Sequence, residues 1–265
     1  MILRATVRCL GGQHFRPPQS VGILATLVCL VLSLPALAQE SPVHWRHAGE
    51  MPPGAIGRRR IERGGPLPGY FQPVLIRCAG SARVSVAVDR GFAAPEPAPL
   101  MVGLLVAPVY RFKLTDLPFR EGEELFPTVE VVDRLYPPSS NTPQFAIPVD
   151  ITQQDMELAL DGHFVTRVVY VEDPETALPN SEPTGRVAWH DVAPGADPLA
   201  VADQLGRPAA IVRMGGRVPL GGGPNRRFLH GSPPLVHLPI PQPRSAGPLP
   251  FEPSAQDRRA MGLPH

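Results

Sequence analysis

Lysine is nearly absent from this chain. Lys113 is the only one among 25 basic residues, and 24 acidic residues balance them almost fully. That balance lacks the concentrated positive surface that nucleic-acid binding requires, so no nucleic-acid partner is expected. Cysteine is scarce as well. Cys9 and Cys29 fall near the N-terminus, and Cys78 stands alone beyond them. A chain that sheds its N-terminal segment has no second thiol for an internal disulfide and must rest on an ordinary hydrophobic core. No apolar run reaches the roughly 20 residues of a membrane-spanning helix. Recognised chemical motifs are missing too. There is no Gly-x-Ser-x-Gly elbow and no zinc spacing. Gly221-Gly222-Gly223 lacks the lysine and flanking elements of a phosphate loop.

What is present begins with an address. Arg4, Arg8 and Arg16 form a basic leader without acids, Val21 to Leu34 is an apolar run, and Pro35 ends it. Ala36-Leu37-Ala38 then offers small residues where a signal peptidase cuts. Residues 1–38 are therefore expected to be a signal peptide cleaved after Ala38. Export to the periplasm, the cell envelope or the medium follows. An uncleaved N-terminal membrane anchor is the alternative, and after cleavage no membrane contact remains. Loss of the three arginines leaves 22 basic residues against 24 acidic ones.

Proline and glycine divide the rest. Residues 39–68 read as a linker containing a basic knot, Arg58-Arg59-Arg60, and 69–214 as the folded domain. Residues 215–265 hold 11 prolines and 8 glycines, too few groups to bury against the entropy of ordering. They are expected to form a disordered tail.

Inside the domain the signals are mainly β. Phe71 to Cys78 and Arg83 to Val88 are strands on either side of a turn. Leu104 to Thr115 reads as one long strand, with Tyr110, Phe112 and Leu114 on one face and Arg111, Lys113 and Thr115 on the other. Thr128 to Leu135 and Phe145 to Ile151 follow. Thr152 and Asp155 form a capping-box pattern ahead of Met156, Ala159 and Leu160, and Gly162 marks a helix stop. Phe164 to Val171, apolar on both faces, predicts a central strand, with Phe164, Val168 and Tyr170 in the core beneath Met156 and Leu160. Asp197-Pro198 opens a second helix, and Ala209 to Met214 closes the domain as a strand.

About seven such strands, with one or two short helices, suggest a β-sandwich. The order resembles an immunoglobulin or fibronectin-type domain, with the 152–160 helix as its crossing between fifth and sixth strands. The runs Val109-Tyr110-Arg111-Phe112-Lys113-Leu114-Thr115, Phe126-Pro127-Thr128-Val129-Glu130-Val131 and Gly162-His163-Phe164-Val165-Thr166-Arg167-Val168-Val169-Tyr170 also resemble a family of exported planctomycete proteins of unknown function. That resemblance implies an envelope location and carries no activity.

Candidate sites have plain structural readings. Cys78 has no histidine near it to generate a thiolate and reads as a packed core residue. His163, His190 and Asp191 match no metal-ligand spacing, and the His44-Trp45-Arg46-His47 tract lies in a linker. Glu130 and Glu172 are strand carboxylates of the kind a glycosidase pairs, but such residues commonly face solvent. Arg167, set between Val165 and Val169, either lies on an exposed face or forms a buried ion pair with a carboxylate such as Glu130, the expected role; binding of a ligand carboxylate is the alternative. Glu121, Glu123 and Glu124 form an acidic loop without the alternating ligands of a calcium site. That loop and 137–141 are the expected contact surfaces.

No catalytic, cofactor or metal residue is assigned. The expectation is a non-enzymatic envelope protein, an adhesion or assembly module with an envelope protein or polysaccharide as partner. The alternative is an exported carboxylate hydrolase or carbohydrate-binding protein.

Overall fold

The computed structural model describes residues 4–9, 51–66, 68–137, 145–173, 175, 188–193, 195–221 and 223–241. The fold is mainly β. Among the described residues 13 strands form two sheets, joined by three helices of eight residues each. None of these helices is long and apolar enough to cross a membrane.

The small sheet runs β13 (Leu235–His237), β6 (Leu100–Leu105), β2 (Phe71–Cys78), β9 (Ile147–Ile151). The large sheet runs β11 (Ala188–Val192), β1 (Arg4–Cys9), β10 (Val165–Glu172), β12 (Gly206–Met214), β8 (Thr128–Val131), β7 (Val109–Thr115), β3 (Arg83–Val88), β4 (Gly91–Phe92). The short β5 (Glu96–Pro97) also pairs with β3.

The two sheets share one core. Val74, Val102 and Leu104 from the small sheet meet Val84, Phe112, Val129 and Val212 from the large one. The opposite face of the large sheet is covered by helices. α1 (Ala55–Glu62) contributes Ile56, and α3 (Pro198–Leu205) contributes Leu199 and Ala202, over Val168, Tyr170 and Ile211. The molecule therefore has three layers, with the large sheet in the middle. Each fully buried aliphatic side chain on either face contributes roughly 1.5–3 kcal/mol.

The period of two in the strands explains the arrangement, because alternate residues reach alternate layers. α2 (Gln153–Leu160) begins at Thr152 with the expected reciprocal capping box, and α3 begins at Asp197, whose side chain accepts from the backbone of Leu199. Gly162 adopts a left-handed φ of 89°, which ends α2 and turns the chain into β10.

Several expectations are corrected. Phe164 is 63% exposed, because Val165 is the first residue that β10 turns inward. Met156 packs in the core between the sheets with Val165 and Val169, so it cannot cover Val168 and Tyr170 on the other face, where α3 lies instead. The long strand over 104–115 is two strands in different sheets. The break falls at Ala107, whose φ is 88°.

The segments expected to be unstructured also build the fold. The 39–68 linker carries α1. The Pro-rich tail supplies β13 and the buried Leu229, and its Pro234 carbonyl accepts from Tyr110 Oη at 2.9 Å. The leader residues Arg4–Cys9 form β1, between β10 and β11. The remaining leader and the cleavage point at Ala38 lie outside the described residues.

Candidate cationic cleft on the outer face of the large sheet

One row of residues crosses four strands. Thr166 on β10 stands opposite Arg213 on β12, Arg213 opposite Thr128 on β8, and Thr128 opposite Arg111 on β7. Their chain neighbours Val165, Val212, Met214, Val129, Tyr110 and Phe112 all point into the core between the sheets. Alternation therefore sends this row to the outer face. That places two arginines there, their Cα atoms roughly 10 Å apart by strand spacing.

Around the row lies a cleft of about 370 Å³. Arg111, Arg213 and Thr128 line it beside Phe126, Phe164 and Pro53, and the chain leaves β12 along it through Gly215 and Gly216. Arg217, His163 and His230 complete the polar lining. No carboxylate lines the cleft among the described residues. The size suits a small ligand or one unit of a polymer.

Each arginine is held differently. Arg111 donates from Nη1 to the Phe126 carbonyl at 2.7 Å and from Nε to the Phe228 carbonyl at 3.1 Å. Its guanidinium lies 4.5 Å from the centre of the Phe228 ring. Its Nη2 sits 3.1 Å from Nε2 of His230, a contact in which the neutral imidazole accepts. Burial, with Arg111 and Arg217 nearby, pushes His230 down to about 4. Burial, and then the repulsion of Arg217, lowers Arg111 to about 10. It remains a cation at neutral pH, and its hydrogen bonds go to neutral acceptors.

Arg213 is only 7% exposed. Its Nη1 donates to Glu130 Oε2 at 3.1 Å, while its Nη2 is buried without a hydrogen-bond partner among the described residues. Glu130 is itself 1% exposed and accepts two further bonds, from the backbone N–H of Gly54 at 2.9 Å and of Gly57 at 3.1 Å. These are free donors of the first turn of α1, so Glu130 acts as a remote anionic cap for that helix. Gly57 makes the close approach feasible. A Cβ there would stand 2.5 Å from Ala107 Cα.

The residues singled out from the sequence fall elsewhere, apart from His163 and Glu130. Arg167 does form a buried ion pair, but with Asp155 of the α2 capping box at 2.8 Å. Glu130 cannot reach it, because the two side chains leave opposite faces of the sheet. Arg167 also lies against the ring of Trp189, 4.7 Å from its centre. Glu130 is not on a solvent face. It and Glu172 are separated by two strand spacings and by about 16 Å along β12, beyond the 5–9.5 Å between glycosidase carboxylates.

Cys78 packs against the core, and burial, with Asp150 nearby, raises its thiol to about 12, which keeps it protonated. His163 sits at the cleft, while His190 and Asp191 are exposed on β11. Glu121, Glu123 and Glu124 are all exposed. Glu123 pairs with Arg120 at 3.6 Å and Glu124 with Lys113 at 3.1 Å. Most of the 137–141 loop and the His44–His47 tract lie outside the described residues.

Arg111, Arg213, Arg217 and His230 were not legible as a group. A signal for two of them existed. Arg111 and Arg213 each sit between apolar neighbours in an expected strand, Tyr110 and Phe112 for one and Val212 and Met214 for the other. No protein-family model, curated protein or solved structure matches the chain.

Proposed function

We propose that the protein is an exported, non-enzymatic binding module of the cell envelope whose cleft holds an anionic group of its ligand. One observation carries the reading: the cleft has a guanidinium bonded to neutral acceptors, Arg111, beside a buried guanidinium nitrogen without a partner, Arg213 Nη2. A buried donor left unmade costs about 1–3 kcal/mol, more for a charged group. A carboxylate or sulfate oxygen removes that cost.

The lining favours binding over hydrolysis. Its charged side chains are arginines, which donate and do not accept, and among the described residues no carboxylate lines it to act as an acid, a base or a counter-ion for a cation. Glu130, the carboxylate bonded to Arg213, is engaged by three donors and serves the helix. Export rests on the leader, and cleavage after Ala38 would withdraw β1 from between β10 and β11.

Calorimetric titration of the purified protein with galacturonate, sulfate and glucose tests the cleft. Both anions should bind and glucose should not. Arg217→Ala should weaken anion binding without lowering the melting temperature, since Arg217 is exposed. Equal affinity for glucose and galacturonate, or no heat from either anion, defeats the reading.

A further inference from the structure

We infer that the ligand is an acidic polysaccharide, one unit of which enters the cleft while the chain continues along the arginine face of α1. The inference rests on the anion-binding reading and extends it to a polymer.

The cleft and the helix are physically continuous. Pro53 lines the cleft, and the next residue, Gly54, is bonded to the same carboxylate that holds Arg213. From there α1 carries Arg58 and Arg59, both exposed, with Glu62 as its only acid. At its far end Arg60 Nη2 and Arg207 Nη1 both bind Asp133 Oδ2, at 2.7 and 2.6 Å. Arg134 follows, 4.8 Å from the ring centre of Tyr70 and 4.4 Å from that of Tyr136. Gly54 to Arg60 spans about 9 Å of helix. The face thus runs from the cleft, over α1, to a second group of three arginines, of which Arg60 and Arg207 share the buried carboxylate of Asp133 and Arg134 lies against Tyr70 and Tyr136.

Charge is segregated here against the average. Without its leader the chain has more acids than bases, yet along this track the carboxylates of Glu130 and Asp133 are buried against arginines, which leaves Glu62 as the exposed acid of α1 beside Arg58, Arg59 and Arg63. A linear polyanion gains from such a track, because each added contact is intramolecular once the first unit is seated. A nucleic acid fits less well. Single-strand recognition uses successive free aromatic faces, whereas along this track the Tyr136 ring is engaged by Arg134 and Arg207 and the Phe228 ring by Arg111 and Phe126, which leaves the single ring of Phe164 at the cleft. An acidic polysaccharide needs only charge and an apolar wall, and the exposed Phe164 supplies the wall at the cleft.

The test compares monomer and polymer on the whole exported protein. Polygalacturonate and dextran sulfate supply carboxylate and sulfate arms, galacturonate is the monomer, and neutral dextran and single-stranded DNA are the controls. One polyanion arm should bind about tenfold or more tightly than the monomer, and that arm identifies the acid group. The double variant Arg58→Ala/Arg59→Ala should remove most of that gain while leaving monomer affinity and melting temperature unchanged. Monomer binding with no polymer gain, or a polymer gain untouched by the double variant, overturns the inference and leaves the cleft reading standing. Absence of monomer and polymer binding overturns both. DNA binding as tight as that of either polysaccharide overturns the choice of partner.

Discussion

Replacing Glu130 with glutamine isolates the bond between the helix, the sheet and the cleft. The side chain keeps its shape and loses its charge. In the native protein three donors converge on it: Gly54 N, Gly57 N and Arg213 Nη1. A glutamine offers one acceptor oxygen, and its amide nitrogen must face at least one of those donors. Arg213, 7% exposed, is then left as a buried charge without a counter-charge. Breaking a buried pair from one side costs about 3–5 kcal/mol. The anion at the helix N-terminus accounts for about 0.3–2 kcal/mol of the same interaction. These overlap, so the expected loss is about 4 kcal/mol. Urea unfolding should report it as a lower midpoint at nearly constant slope. Removing Arg213 as well, as Glu130→Gln/Arg213→Met, should restore at least about 2 kcal/mol, because both buried charges are then gone. Hydrogen exchange should show the first-turn amides of α1 opening in the single variant. A loss under about 1 kcal/mol, or strict additivity in the double variant, refutes the account of Glu130 as a shared cap and counter-ion.

Tyr110→Phe deletes the bonds to Pro234 O and Leu105 N at 2.9 Å each. It should cost about 1–3 kcal/mol and expose residues 233–241 to limited proteolysis, whereas an uncut tail would show that β13 alone holds it. His230 should make stability depend on pH. Its folded-state value of about 4 lies below the usual 6.5, so the unfolded chain binds the extra proton between those values. The stability of the neutral ring is full above about pH 6.5 and falls as the pH drops towards 4, by less than the full shift implies because solvent screens the half-buried ring. His230→Gln should flatten that part of the curve, and an unchanged slope would remove the histidine from the explanation. N-terminal sequencing of the exported protein should begin at Gln39. The β10 amides that face β1 should then exchange faster than in the uncleaved chain, and a start at Met1 would mean that the leader stays.

The strands and helix starts were legible in the sequence because they depend on neighbours. Alternation in Tyr110 to Thr115, the Thr152–Asp155 capping box, Asp197-Pro198 and Gly162 each set a local geometry that the tertiary fold then uses. The mainly β class with a core between two sheets follows from those patterns. Sequence alone did not place α1. Its apolar content is small, and its first turn is capped by a carboxylate 76 residues away in sequence. Nor did it anticipate that the Pro-rich tail would supply β13, since that strand pairs with β6 and is anchored through Tyr110. The assignment of faces was decided by the fold as well. The sequence shows Glu130 between Val129 and Val131, and Arg167 in a run that is apolar on both faces. Only the sheet order says that they point to opposite layers, so that Arg167 meets Asp155 and Glu130 meets Arg213. The cleft belongs wholly to that second kind of information. Arg111, Arg213 and His230 come from two strands and the tail, and register across the sheet is what brings them together. Which strands become neighbours, such as β12 beside β8, is a long-range choice that the alternation within one strand does not encode.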